Sequence, residues 1–147
     1  MPWFWPIMNV FCGIEVRFMK RLFPIMIFFS SMSYAGQIDD SLDACLDKSF
    51  STPEISLCYS NATDEWDKEL NIEYKKLLSI LDNNQRKALV KAQKSWLEYR
   101  DNYYSFLRDF YTRDGTMWGN LGAEKRMELV KEKVNNLKSL FDSVQPK

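Results

Sequence analysis

Four stretches of the chain place apolar residues three and four positions apart, the period of one helix face. From Ile38 to about Lys48, Leu42, Cys45 and Leu46 lie on one side, with Asp40, Asp43 and Asp47 on the other. From Glu54 to Leu81 the run Ile55, Cys58, Ala62, Trp66, Leu70, Tyr74 and Leu77 continues without glycine or proline. A third stretch, Gln85 to about Tyr111, carries Leu89, Ala92, Trp96, Tyr99, Tyr103, Phe106, Leu107 and Phe110. A fourth, Ala123 to about Val144, carries Met127, Val130, Val134, Leu137 and Phe141. No stretch alternates with period two, so the pattern predicts an all-α fold, a small antiparallel bundle built on a long central helix hairpin.

The breaks between these stretches carry turn and cap chemistry. Ser51-Thr52-Pro53-Glu54 allows two starts: Ser51 capping with Glu54 at N3, or Thr52 capping with Pro53 at N1. Asp82-Asn83-Asn84 separates the two long helices, with Asn83 or Asn84 as the expected cap. Between Arg113 and Gly122 lie three of the five glycines, which predicts a loop holding Met117 and Trp118.

The first 35 residues change this picture, because they belong to targeting and not to the fold. Met19-Lys20-Arg21 reads as a positive n-region, and Leu22 to Phe29 as an apolar h-region too short to span a bilayer. Ser33-Tyr34-Ala35 reads as a signal-peptidase site. Residues 1–18 have no amphipathic pattern and read as an upstream extension ahead of the signal at 19–35. The expected domain is 36–147, exported to the periplasm or beyond, without stable membrane insertion after cleavage near Ala35.

Removing Glu15, Arg17, Lys20 and Arg21 from the 20 acidic and 20 basic residues leaves 19 and 17, a net charge of −2. That balance gives no electrostatic reason to bind nucleic acid. Two cysteines remain in the exported part, Cys45 and Cys58, and an even pair in that setting reads as a disulfide joining the first helix to the start of the second.

The two long helices mirror one another about Asp82-Asn83-Asn84. Asp67-x-x-Leu70-Asn71-x-x-Tyr74 is answered by Gln93-x-x-Trp96-x-x-x-Arg100-Asp101. Folding at the break sets Asp67 opposite Arg100, Asn71 opposite Trp96 and Tyr74 opposite Gln93, the register of a tight hairpin. In this reading Asp67 and Arg100 form a bidentate pair, Tyr74 and Gln93 satisfy each other, and the motif serves structure first.

With the cysteine pair, the Asp67 to Tyr74 run, Trp96-Leu97-Glu98-Tyr99-Arg100-Asp101 and a late helix carrying Arg126 and Glu128 in order, the chain resembles the LprI-like lysozyme-inhibitor family from Cys45 to about Leu137. The resemblance implies an exported helical envelope protein whose named member inhibits lysozyme. The family pattern usually adds a cysteine just after the Arg-Asp pair and a partner for it near the last helix. Here Tyr104 stands at the first place and no cysteine follows Cys58.

Histidine is absent, which removes Ser-His-Asp and Cys-His nucleophile arrangements and ordinary zinc sets. No cofactor, no metal and no enzymatic activity are expected. The remaining catalytic option, Asp67 with Asp101 or Glu98, is weakened by the neighbouring Arg100. The expected function is protein binding: occlusion of a lysozyme or related cell-wall hydrolase, or else an envelope interaction or immunity-type role with another partner. Two features outside the hairpin register could make the contact, Met117 and Trp118, and the acidic stripe Asp40, Asp43 and Asp47, which suits a cationic partner.

Overall fold

The computed structural model describes residues 34–113 and 115–145; the expected leader and its cleavage point fall largely outside them. Four helices follow in order: α1 (Tyr34–Leu46), α2 (Thr52–Ile80), α3 (Asn83–Phe110) and α4 (Met117–Ser143). Among the described residues there is no strand, and no helix is long and apolar enough to cross a membrane. The first three helices match the periodicity to within a few residues.

The ends follow the local chemistry. Of the two starts open to α2, the chain takes Ser51: its hydroxyl accepts from the Glu54 N–H, while the Glu54 carboxylate accepts from the backbone N–H groups of Phe50 and Ser51 at 3.0 and 2.9 Å. These bonds satisfy donors the first helical turn leaves free, and with the Ser51 hydroxyl they hold the Glu54 carboxyl below its ordinary range. The α3 cap is Asp82, one residue before the expected asparagines. Its carboxylate accepts from the N–H groups of Asn84 and Gln85, and the Gln85 side chain closes the box.

The larger correction lies at α4, which begins at Met117 and not after Gly122. Only Gly115 acts as the turn residue, at φ 107°, a backbone region that other residues enter at a cost. Gly122 is buried inside α4, where a Cβ would come within 3.3 Å of the Tyr111 ring. Its missing side chain lets the end of α3 close on α4, and that packing offsets the low helix propensity of glycine.

The core lies between α2 and α4, with α1 laid across α2. Trp66, Val130, Val134 and Leu137 are its fully buried centre, joined by Ile38, Leu42, Leu70, Leu77 and Met127. Cys45 and Cys58 are bonded, with Cα atoms 5.8 Å apart. Lys131 joins α1 to α4 through both Asp39 oxygens at 2.7 and 2.8 Å, with its ammonium 5.4 Å from the Trp66 ring centre.

Helix α3 stands apart from this core. The backbones of α2 and α4 run together closely, whereas α3 meets α4 over a shorter stretch and α2 hardly at all, so the hairpin is open where its register suggested a tight one. Only Gln93 and Leu107 of α3 are buried, and Tyr99, Phe106 and Phe110 are about half exposed. The periodicity of α3 comprises two stripes, and the Tyr99 stripe faces away from the core.

Candidate functional site

The register nevertheless places the mirrored motif residues together. Arg100 donates from Nη1 to Asp67 Oδ1 at 3.3 Å, while its Nε and Nη2 both reach Asp101 Oδ1, at 3.1 and 3.0 Å. The pair to Asp67 is therefore a single contact, not the bidentate one expected, because the separated α3 lets the guanidinium reach across with one nitrogen. Both side chains retain solvent contact, Arg100 at 20% and Asp67 at 37%. Desolvation outweighs the attraction of Arg100 and pushes the Asp67 carboxyl above its ordinary range.

Two open grooves flank this ion pair. One, of about 270 Å³, runs between α2 and α3 and is lined by Asn71, Tyr74, Gln93 and Leu97. The other, of about 290 Å³, is lined by Ser56, Ser60, Thr63, Tyr104 and Arg126. Asn71 turns its amide to the Asp67 carbonyl at 2.8 Å. The expected Tyr74–Gln93 pairing does not form: Gln93 Oε1 is buried without a hydrogen-bond partner. Leu70 is buried in the core, and Trp96 is half-buried beneath Arg100 and Lys133, each 5.8 Å from its ring centre.

Tyr104, at the place where the family pattern carries a cysteine, donates its hydroxyl to the Arg126 carbonyl at 3.1 Å. A cross-helix hydrogen bond thus joins α3 to α4 there. Burial raises the phenol to about 12, so it stays a donor throughout the physiological range.

The two features proposed for partner contact come together at one end of the bundle. The Thr52 hydroxyl donates to the Thr116 hydroxyl at 3.0 Å, bringing the α1–α2 turn beside the α3–α4 turn. Thr116 consequently makes no side-chain cap of its own helix. Met117 projects at this end, 63% exposed, whereas Trp118 folds back on Tyr111 with ring centres 6.1 Å apart and Arg113 over its face. The stripe of Asp47, Asp43 and Asp40 starts at the same end and runs up α1, all three exposed.

Sequence reasoning missed Phe50, the most exposed large apolar residue described, at 92%. It lies in the α1–α2 turn, fixed by the bond from its N–H to Glu54. Its signal was an aromatic residue between Ser49 and Ser51, outside every helical period. Charge adds to the asymmetry: between Gly36 and Glu69 nine carboxylate side chains face only Lys48 and Lys68. An apolar tip beside an acidic helix can seat a basic protein surface, and this arrangement needs no bound group.

A second omission is the buried carboxyl pair Glu69 and Glu73 on the core side of α2. Glu73 contacts Lys76 at 2.6 Å, while burial and the proximity of Glu73 push Glu69 above its ordinary range. Between the ordinary and raised values the folded state binds more protons than the unfolded one, so this group's contribution falls as pH rises through that window. Glu69→Gln is therefore expected to melt higher than the parent at neutral pH, with the gap closing towards about pH 4.5. Thermal unfolding of both proteins across that range checks it; a gap that widens on acidification would contradict the assignment.

Comparison with known proteins fits this arrangement of helices and disulfide. No curated protein and no solved structure matches the chain. The family model described as "Lysozyme inhibitor LprI" matches residues 45–137, which runs from the first disulfide cysteine into the last core turn of α4 and covers more than half of the chain. The chain belongs to the LprI lysozyme-inhibitor family.

Proposed function

We propose that this protein is exported and inhibits a lysozyme or related cell-wall hydrolase by occlusion, using the end of the bundle where Phe50 and Met117 project beside the acidic stripe of α1. Family membership supports the class of target. The observation that carries the surface is the Thr52–Thr116 hydrogen bond, which unites features 64 residues apart in sequence into one tip. Phe50 and Met117 supply the apolar contact. Asp40, Asp43 and Asp47 supply attraction to a basic target, which raises the rate of encounter and screens out with salt.

Titration of c-type, g-type and i-type lysozymes with the purified exported protein tests this reading, with saturation at an equimolar ratio as the expected result. Exchanging both Phe50 and Met117 for alanine is expected to weaken binding by at least about 30-fold if they act as hot-spot residues. Helicity should be unchanged, because both side chains point into solvent. Replacing the three aspartates by asparagine is expected to slow association and flatten its salt dependence. Equimolar inhibition that survives both sets of changes would move the contact elsewhere. Failure to bind any lysozyme would reassign the tip to another envelope partner.

A further inference from the structure

The exposed stripe of α3 is not used by the tip and is too ordered to be incidental. Tyr99, Tyr103, Phe106 and Phe110 form a continuous ladder, with successive ring centres 5.7, 5.9 and 5.4 Å apart. Because each ring braces the next, their rotamer freedom is already restricted before any partner arrives, which lowers the entropic cost of covering them. Three of the four are about half exposed, although the helix beneath has few contacts to hold it on the bundle.

We propose that this ladder is a self-association surface, on which α3 pairs antiparallel with α3 of a second copy. This inference is independent of the hydrolase reading. The first argument is spacing: the intervals 99 to 103, 103 to 106 and 106 to 110 are four, three and four, which read the same in both directions. A two-fold axis near the middle sets Tyr99 against the Phe110 position of the other copy and Tyr103 against its Phe106 position, as an isologous interface requires.

The second argument is charge. Arg113 lies over the Phe110 ring at 5.2 Å, and in this register that end meets the other copy's Tyr99 end, where Glu98 sits beside the ladder. Each interface therefore gains two Glu98–Arg113 pairings. The third is area. Four half-exposed rings offer roughly 400 Å² per copy, and residues flanking a helix pair bring this towards the about 800 Å² per partner of a standard interface. A reversible dimer of about micromolar affinity follows.

Sedimentation equilibrium of the purified exported protein across concentration tests the proposal, with twice the chain mass at high concentration as the expected result. Phe106→Glu should leave a monomer with unchanged far-ultraviolet circular dichroism. Glu98→Arg should raise the dissociation constant at least ~10-fold by facing like charges, and adding Arg113→Glu should restore it. The double exchange keeps the test decisive even if Phe106→Glu fails to fold. A monomer at every concentration overturns the proposal, as does a dimer indifferent to all three variants. So does a monomer whose lysozyme binding is lost with Phe106→Glu, which would give this face to the hydrolase.

Discussion

Trp66→Ala is expected to remove about 4 kcal/mol of unfolding free energy, the largest single-residue effect in this chain. The indole is fully buried at the centre of the α2–α4 contact, with Val130, Val134 and Leu137 also excluded from water. Truncation forfeits the transfer free energy of the ring and leaves a void that two long, straight helices cannot close without shifting their common register. Nor does the loss relieve a buried hydrogen bond, because the indole N–H has no partner to give up. Lys131, now 5.4 Å from the ring centre, would lose that face as well and retain only Asp39.

For a domain of this size a loss of that magnitude lowers the melting temperature by roughly 15–25 °C and takes a large share of total stability. Urea unfolding followed by circular dichroism measures it, with Leu57→Ala as the comparison. Leu57 is on the outer side of α2 and well exposed, so its change should stay within about 0.5 kcal/mol. Equal losses for the two variants would mean that the core is not centred on Trp66.

Removing the Cys45–Cys58 bond is the second large change, expected to cost about 3 kcal/mol through the loop it closes in the unfolded chain. The effect should be local before it is global. Helix α1 has 13 residues, near the length below which an isolated helix is marginal in water, and it rests mainly on α2. Without the bond, Ile38 and Leu42 and the Asp39–Lys131 pair are its principal anchors. Hydrogen exchange of a Cys45→Ala, Cys58→Ala protein should therefore speed up most over α1, while α2 and α4 keep most of their protection. Uniform acceleration along the chain would instead make α1 an integral part of one cooperative unit. The same variant links stability to the proposed function: Asp40 and Asp43 are carried by α1, and loosening it should slow capture of a basic partner.

The four helices, their order and the disulfide were legible in the sequence, because a three-four apolar period, an Ser-x-x-Glu cap and an even pair of cysteines each have a local physical meaning. The mirrored motif also foretold that Asp67 and Arg100 meet. Distance between helices was not legible. The same spacing in α3 fits a core stripe and an exposed ladder equally well, since periodicity reports that residues share a face and not what covers it. Glycines 119 and 122 read as breakers by propensity, but the neighbouring Tyr111 ring makes one of them a packing position.

Sequence by itself determined the helical class, the staple and the family, all of which depend on short-range patterns. Tertiary structure alone decided that α4 pairs with α2 in preference to α3, that Glu69 and Glu73 are buried, and that Phe50 joins Met117 at one acidic end. These are contacts between residues far apart in the chain. Their energies depend on how the three long helices share one limited core, a competition that no local pattern records.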